Sequence, residues 1–483
     1  MGHERMLRRI VARIAFAGAG ALAATSLYAV PAEATTSDVR CSATALASAV
    51  GSATSGETLN LAAYCTYRLT AALPTVSQDL TILGDHATLL RSYAPATPAF
   101  TILSVDAGTL AVTDLNFTNG AGAIAATENA SITVQGGSFT RNHAADGGAI
   151  NSTTGMGSLT VTDAVFNGNS ATQAGGAIYT NEADGTTTVT GGRFAKNKAG
   201  TIGGGIYNFF DMSVSGSTFD ANQAEDGGAI FNNAVDGDSL TDVTIDHNRA
   251  TQDGGGVFTA TCFLSLAHSR IFDNQAGVDG GGLYQYTLMN YPDGLTLTRS
   301  SVRGNAAQNG AGIYDYDTVT SLEDSAVLGN AASGSGGGIY NDGLAIGFGN
   351  LNLDNSKISR NRAGTQGGGI YNTQGTVDAA GSPIVHNGAV TGGGGIFDGP
   401  GPNTVSLTNS PVQLNRPDNC EPTGTIPGCT DGPSGGQTYA SAEPVRQGSR
   451  HSDRMRPAAH VPWQRWRCVV RPTAAGPAHC RPS

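Results

Sequence analysis

The stretch Phe139-Thr-Arg-Asn142-His-Ala144-Ala-Asp-Gly147-Gly-Ala-Ile150 decides the fold, because its pattern returns along most of the chain. The pattern reads apolar-x-x-Asn-x-Ala, and after two or three residues it closes on Gly-x-x-apolar. The closing apolar residues recur every 24 to 31 residues. They are Ile150, Ile178, Ile206, Ile230, Val257, Leu283, Ile313, Ile339, Ile370 and Ile396. A period of this size predicts stacked copies of one supersecondary unit.

Each repeat contains three short strand-like pieces. The first alternates, as in Leu159-Thr-Val161; the second ends at the apolar residue before x-x-Asn; the third is Gly-Gly-x-Ile-Tyr. Three short strands in about 27 residues suit a chain that winds once around a long axis per repeat, with neighbouring coils pairing as parallel strands. A propeller needs four strands and about 40 residues per blade. The sequence therefore predicts an all-β, single-stranded parallel β-helix (solenoid) of about 10–13 coils with N- and C-terminal caps.

The repeated positions have different physical roles. We expect the apolar residues to point inward and the Ala to form a tight corner. The Asn should sit at a bend, where its amide can bond the backbone and the next Asn along the stack. The glycines should supply positive φ or close backbone approach. The ten asparagines are Asn142, Asn169, Asn197, Asn222, Asn248, Asn274, Asn305, Asn330, Asn361 and Asn387.

The two ends of the chain differ from the repeats at 126–416. Residues 1–34 have an Arg-rich start, an apolar middle and the small-x-small site Ala32-Glu-Ala34, which predicts a signal peptide and an exported protein. Residues 35–125 read as an N-terminal cap and first irregular coils, with a helix near 41–50. Residues 417–432 read as a disulfide-closed C-terminal cap. The Arg/Pro-rich segment 433–483 is predicted to be a disordered tail.

Cysteine spacing fits an exported protein. Cys41 with Cys65, Cys420 with Cys429 and Cys468 with Cys480 form local pairs and are candidate disulfides, which leaves Cys262 alone. No stretch after the signal is apolar enough to predict a transmembrane helix.

Charge narrows the class of partner. The chain carries a formal net charge of −11, and its arginines cluster at the two ends, so the body between them is more acidic still. Such a body argues against nucleic acid as the partner. An extracellular glycan or protein surface is the expected partner.

The alternating Phe-x-x-Asn and Gly-Gly-Ala-Ile motifs resemble the repeats of chlamydial polymorphic outer-membrane proteins and, more broadly, those of secreted bacterial right-handed parallel β-helix proteins. The resemblance covers about 117–415 and implies a right-handed β-helix at the cell surface, in a group associated with adhesion. Those outer-membrane proteins end in a translocator barrel, whereas this sequence ends in Cys480-Arg-Pro-Ser without barrel-like strands. The departure favours a secreted or loosely surface-associated protein.

One candidate binding surface is the file of aromatic residues that follow the closing apolar residues. If the apolar residue points inward, alternation points the aromatic residue outward. An outward file could stack on sugar rings or dock a protein; alternatively, the rings stack on each other and stiffen the rod. The insertions 285–294 and 341–350 bulge from the same side. The predicted binding residues are Tyr179, Tyr207, Tyr284, Tyr286, Tyr291, Tyr314, Tyr340 and Tyr371.

Asp226, Asp253 and Asp279 each precede Gly-Gly in three consecutive coils, so they should stack about 5 Å apart. Like charges at this spacing repel unless water or a hard cation lies between them, which makes structural Ca²⁺ possible here. The alternative is three hydrated turn aspartates. No other cofactor is expected.

An enzymatic function is the alternative, because some polysaccharide lyases and glycoside hydrolases also have a β-helix fold. Asp315 and Asp317 place two carboxylates on one strand face about 7 Å apart. The paired-Asp, Gly-His-Gly and Arg-x-Lys motifs of pectin hydrolases are absent from the sequence. We therefore interpret these two as solvated surface aspartates, and the protein as a non-enzymatic binding or adhesion protein.

Overall fold

The computed structural model describes residues 35–430, apart from the short gaps 128–129, 154–156, 182–184, 235–236, 261–262, 287–293 and 344–348, and also 467–468 and 480–481. The predicted signal peptide, Cys262 and most of the predicted tail lie outside these residues.

Three long parallel sheets run the length of the repeats, and we call them sheets A, B and C. In the described part of the chain, every strand of these sheets pairs in parallel with its counterpart one coil away. Sheet A comprises Thr36–Val39, Glu57–Leu61, Leu80–Leu83, Thr109–Thr113, Ser131–Gln135, Ser158–Thr162, Thr186–Thr190, Met212–Ser215, Asp238–Thr241, Leu264–Ala267, Gly294–Thr298, Val319–Glu323, Asn350–Asp354, Thr376–Ala380 and Thr404–Thr408. Sheet B comprises Thr66–Leu69, Thr88–Arg91, Asn116–Thr118, Ser138–Thr140, Val165–Asn167, Arg193–Ala195, Thr218–Asp220, Thr244–Asp246, Arg270–Phe272, Ser301–Arg303, Ala326–Leu328, Lys357–Ser359, Ile384–Val385 and Val412–Gln413. Sheet C comprises Leu103–Val105, Ile124–Ala126, Ile150–Thr153, Ile178–Asn181, Ile206–Asn208, Ile230–Asn232, Val257–Ala260, Leu283–Tyr286, Ile313–Tyr316, Ile339–Asp342, Ile370–Thr373, Ile396–Asp398 and Cys420–Glu421.

This topology confirms the predicted all-β parallel solenoid. The 14 strands of sheet B give about 14 turns, slightly more than the predicted 10–13. The additional turns come from 57–118, whose strands already join the same sheets although they lack the Asn motif. The right-handed winding stays a prediction.

The core is built by alternation along the strands. Leu159 and Val161 are fully buried between the half-buried Ser158, Thr160 and Thr162. In sheet B, five phenylalanines stack with ring centroids 4.7–5.0 Å apart. They are Phe117, Phe139, Phe166, Phe194 and Phe219. Each coil therefore buries its apolar side chains on the next one, as the repeat predicted.

The corner after sheet B carries the asparagine ladder. Each Nδ2 donates to the Oδ1 atom of the next asparagine at 2.9–3.2 Å, and each also donates to a backbone carbonyl of the preceding coil. The prediction is confirmed, and Asn415 and Asn419 extend the ladder beyond the ten predicted residues.

Short strands follow this corner. They are His143–Ala144, Ser170–Ala171, Lys198–Ala199, Gln223–Ala224, Arg249–Ala250, Ala306–Ala307, Ala331–Ala332, Arg362–Ala363 and Gly388–Ala389. Their alanines are mostly buried, which confirms a tight corner. Further along each coil, the two residues of the Gly-Gly pair must be glycine for different reasons. Gly175 has φ +62°, whereas a Cβ on Gly176 would lie 2.1 Å from the carbonyl oxygen of Gly204 in the next coil.

The N-terminal end of the solenoid is covered by the helix Ala43–Ser52. Ser42 caps it through a hydrogen bond from the Ala45 N–H, and the helix buries Leu46 and Val50. A disulfide joins Cys41, just before the helix, to Cys65 at the first strand of sheet B. Across the part of the chain that the structure describes, no helix has both the length and the apolar character needed to cross a membrane.

The C-terminal end is closed by a second disulfide, between Cys420 and Cys429, as predicted. Residues 437–483 form a separate unit. Within it the structure describes Arg467–Cys468 and Cys480–Arg481, which pair antiparallel with Cys468 and Cys480 as Cα partners. Disorder elsewhere in the tail stays a prediction.

Candidate functional site

The aromatic file lies on the outer face of sheet C, and its rings stack on each other. Neighbouring ring centroids are 4.5–5.8 Å apart. The rings are Tyr179, Tyr207, Phe231, Phe258, Tyr284, Tyr314, Tyr340, Tyr371 and Phe397. Alternation gave their direction correctly. Because each face is covered by the next ring, a ligand can reach the ring edges and not the faces.

Three rings in the middle of the file are buried in an apolar cluster outside the main core. Tyr207, Phe231 and Phe258 are buried, and Ile202 and Phe209 pack against them. Burial raises the pKa of the Tyr207, Tyr284, Tyr314 and Tyr340 hydroxyls, so they stay protonated and uncharged. The Tyr314 hydroxyl donates to Asp342 Oδ2 at 3.2 Å.

Two predicted tyrosines lie beside this file or outside the described residues. Tyr286 is half-buried, and its ring lies 5.2 Å from that of Tyr316 in a tilted arrangement. Tyr291 lies outside the described residues, as do most of the two predicted insertions. Binding by the tyrosines therefore stays a prediction.

The predicted aspartate stack is present, and each of its carboxylates accepts a hydrogen bond from the next coil. Asp226 Oδ1 accepts the Asp253 N–H at 3.0 Å, Asp253 Oδ1 accepts the Asp279 N–H at 2.9 Å, and Asp279 Oδ1 accepts Asn309 Nδ2 at 3.0 Å. Burial raises the pKa of Asp226 to about 7 and that of Asp279 to about 6. The residues are half-buried ladder groups rather than hydrated turn aspartates. Calcium at this stack stays a prediction.

The interpretation of Asp315 and Asp317 as solvated surface residues is wrong. Asp315 is 0% exposed and Asp317 is 2% exposed. Ile313 points into the core and Tyr314 points outward, so alternation turns Asp315 back inside. The strand ends at Tyr316, and Asp317 lies in a turn with φ 57°.

A groove on the outer face of sheet A was not predicted from the sequence. It has a volume of about 530 Å³, and eight of its twelve lining residues have polar side chains. Ser321, Asn352, Asp378 and Ser406 lie in register on four successive strands. The remaining lining residues are Thr296, Leu322, Glu323, Leu353, Asp354, Ala379, Ala380 and Thr408. Outward alternation in the first strand of each repeat was the available signal.

A smaller cluster lies at the outer edge of sheet B. His247 Nδ1 is 3.0 Å from Asp246 Oδ2 and 3.9 Å from Asp220 Oδ1. The potential ligand atoms of these three residues lie within 4.8 Å of one another. The imidazole is largely exposed, and a surface ion pair of this kind contributes little to stability.

Comparison with known proteins gives two similarities. Residues 163–181 match the Chlamydia polymorphic membrane protein repeat. Among solved structures, the A-module of the Azotobacter vinelandii mannuronan C-5 epimerase AlgE6 is similar, with 12% identity over 77% of this chain and 96% of that chain and a TM-score of 0.32. No curated protein sequence matches the chain. The chain is thus a parallel β-solenoid protein whose repeats resemble those of the Chlamydia polymorphic membrane proteins.

Proposed function

We propose that this is an exported, non-enzymatic β-helix protein that acts in surface adhesion, and that it binds an extracellular glycan in the groove on sheet A. The observation that carries the proposal is the in-register row of Ser321, Asn352, Asp378 and Ser406 on neighbouring coils. Strands in a sheet are about 4.8 Å apart, so the row offers one hydrogen-bonding side chain at each such step. A chain of sugars presents hydroxyl groups at repeated intervals along its length.

The charge of the groove determines which class of glycan it can bind. Glu323, Asp354 and Asp378 line the groove, and none of the lining residues is basic. Carboxylates accept hydrogen bonds from sugar hydroxyls but repel a uronic-acid polymer. The groove therefore favours a neutral or basic glycan. A protein surface with exposed lysines is the alternative partner that the same charge would attract.

A glycoside hydrolase is the second candidate function, because one pair of groove residues has suitable spacing. Glu323 and Asp354 are Cα partners on adjacent strands, and retaining glycosidases place their two carboxyl groups about 5–5.5 Å apart. Both residues are exposed to water. A general acid needs surroundings that favour its protonated form, so this exposure favours binding over hydrolysis.

A glycan array that carries neutral, basic and uronic-acid glycans tests the proposal. We expect the full-length protein to bind neutral or basic glycans, and the double variant Asn352→Ala/Asp378→Ala to bind at least about tenfold more weakly, the effect of about 1.4 kcal/mol. Thr160→Ala is the matched control, because Thr160 occupies the same outward column of sheet A far from the groove.

Three results would contradict the proposal. The first is unchanged binding by the double variant, and the second is equal loss in Thr160→Ala. The third is depolymerisation of a bound glycan that disappears in Glu323→Gln or Asp354→Asn, which would establish the hydrolase instead.

A further inference from the structure

A column of polar side chains runs inside the solenoid, next to sheet C. These residues directly follow the outward aromatic residues, so alternation turns them inward. They are Thr180, Asn208, Asn232, Thr259, Gln285, Asp315, Asn341, Asn372 and Asp398, and all except Asp398 are buried. They are Cα partners from coil to coil.

Where asparagines occupy the column, each amide donates to the next coil. Asn208 Nδ2 donates to Asn232 Oδ1 at 3.1 Å, and Asn341 Nδ2 donates to Asn372 Oδ1 at 2.7 Å. Asn372 Nδ2 in turn donates to Asp398 Oδ1 at 2.9 Å. The Nδ2 atom of Asn341 also donates to the carbonyl oxygens of Gly349 and Thr376, which fixes the orientation of that amide.

Asp315 interrupts this pattern, because it stands where a donor is needed. Its Oδ1 accepts the Thr318 hydroxyl, but its Oδ2 has no hydrogen-bond partner. Asn341 Oδ1, on the next coil, has none either. Two buried acceptor residues thus meet on neighbouring strands with no hydrogen between those oxygens, an arrangement that is unfavourable unless a positive charge joins them.

A third buried oxygen belongs to the same coil. Thr320 occupies an inward position of sheet A that is Leu295 in the coil before and Leu351 in the coil after. Its hydroxyl lies beside the Asp315 carboxyl, yet Thr320 Oγ1 makes no hydrogen bond of ordinary geometry. A hydroxyl at this core position is explained if the oxygen has a ligand.

Another buried carboxylate of the same solenoid shows how such a group is normally satisfied. Asp238 occupies the same inward position of sheet A as Thr320, three coils earlier, and it is 3% exposed. Its Oδ1 accepts the Met212 N–H and its Oδ2 accepts Asn232 Nδ2. Asp238 therefore accepts hydrogen bonds through both carboxylate oxygens, whereas Asp315 accepts one through Oδ1 and none through Oδ2.

Among the lysines and arginines near Asp315 in the sequence, none is a buried side chain that could pair with its carboxylate. Every lysine and arginine between residues 270 and 380 is exposed. Buried charges in proteins are normally paired or bound to metal.

We propose that Asp315, Thr320 and Asn341 bind a Ca²⁺ ion inside the solenoid. Carboxylate, hydroxyl and amide oxygens are the ligands that this hard cation prefers. Two oxygens on strands about 4.8 Å apart are bridged by an ion with metal–oxygen distances of about 2.4 Å, within the range for calcium. Asp315 supplies the charged ligand of the three. The ion enters while the coils assemble.

The test is refolding with and without calcium. The full-length chain is unfolded in guanidinium with EDTA and refolded in EDTA or in about 1 mM Ca²⁺, near the upper end of the dissociation constants of extracellular calcium modules. After exchange into calcium-free buffer, we expect one Ca²⁺ per chain by elemental analysis. We also expect the calcium-refolded protein to melt about 3–5 °C higher.

Asp315→Asn is the decisive variant, because its amide can donate to Asn341 Oδ1 and complete the column without an ion. We expect it to refold without bound calcium and to melt at the same temperature in both media. Asp253→Asn is the control and should keep both the calcium and the shift, which separates this site from the outer aspartate stack. Thr320→Val, which removes only the hydroxyl, should weaken calcium binding at least about tenfold.

Two outcomes overturn the proposal. One is wild-type protein that holds no calcium and melts identically in both media. The other is Asp315→Asn that retains as much calcium as wild type. Neither measurement involves a glycan, so their outcome is independent of the proposed adhesion function.

Discussion

The asparagine ladder makes a quantitative prediction at Asn248, in the middle of the solenoid. Its Oδ1 accepts both the backbone N–H and the Nδ2 of Asn222 at 2.9 Å. Its own Nδ2 donates to the Phe219 and Asp246 carbonyls and to Asn274 Oδ1 at 2.9–3.0 Å. Asn248→Ala removes all five contacts and leaves buried polar groups of Asn222 without their acceptor.

We expect Asn248→Ala to lower the free energy of unfolding by about 3–5 kcal/mol. At least two buried groups lose a partner, at about 1–3 kcal/mol each, and the bonds of the deleted amide are lost as well. Urea denaturation followed by circular dichroism measures the change. Asn167→Ala is the control, because Asn167 is exposed on the outer face of sheet B and should change stability by less than about 0.5 kcal/mol.

Equal losses in the two variants would refute the reasoning, because they would mean that the buried ladder contributes no more than a surface asparagine. Asn248→Asp provides an independent check. It sets a carboxylate against Asn274 Oδ1, so we expect it to be less stable than Asn248→Ala at neutral pH and to recover in acid as the carboxyl takes up a proton.

Two further predictions concern Asp226 and the glycines. Because burial raises the pKa of Asp226 to about 7, the folded protein holds a proton that the unfolded chain releases above its ordinary value of 3.8, so this group destabilises the fold as pH rises through that interval. Asp226→Asn should therefore flatten the fall of the urea midpoint between about pH 4 and about pH 7, and an unchanged slope would contradict this. Gly176→Ala puts a Cβ 2.1 Å from the Gly204 carbonyl and should cost more than about 4 kcal/mol in urea denaturation, whereas Gly329→Ala, with φ +63° and open space, should cost about 1–2 kcal/mol. The reverse order would show that backbone conformation, not coil spacing, limits these positions.

The repeat predicted those features that recur in every coil. Position within the period predicts the inward Phe139, the Asn142 of the ladder and the Gly147-Gly148 pair, because equivalent residues make the same contacts in each turn. Disulfide pairing followed from local cysteine spacing. These features depend on contacts between equivalent residues, which a periodic sequence displays directly.

The candidate sites were harder to predict, because they depend on departures from the period. Alternation from Ile313 places Asp315 inside, but the usual preference of aspartate for water led to the opposite interpretation. The outward direction of Tyr207 was predictable, whereas its burial depends on Ile202 and Phe209, which belong to other parts of the coil. The groove depends on side chains from five neighbouring strands, and alternation along one strand shows only which of them point outward.

The asparagine ladder also has a direction. In the bonds between asparagines, every amide donates toward the coil that follows. At the start, Asn142 Oδ1 accepts the Gly120 N–H, and at the other end Asn419 Nδ2 donates to the Thr430 carbonyl. A chain that winds from its N-terminus therefore has an unfilled amide donor at its growing end after each new turn. The next turn supplies an acceptor for that donor, and its own asparagine then has an amide donor without an acceptor. The carbonyl of Thr430, directly after the loop closed by Cys420 and Cys429, ends this succession, so this segment terminates the asparagine ladder.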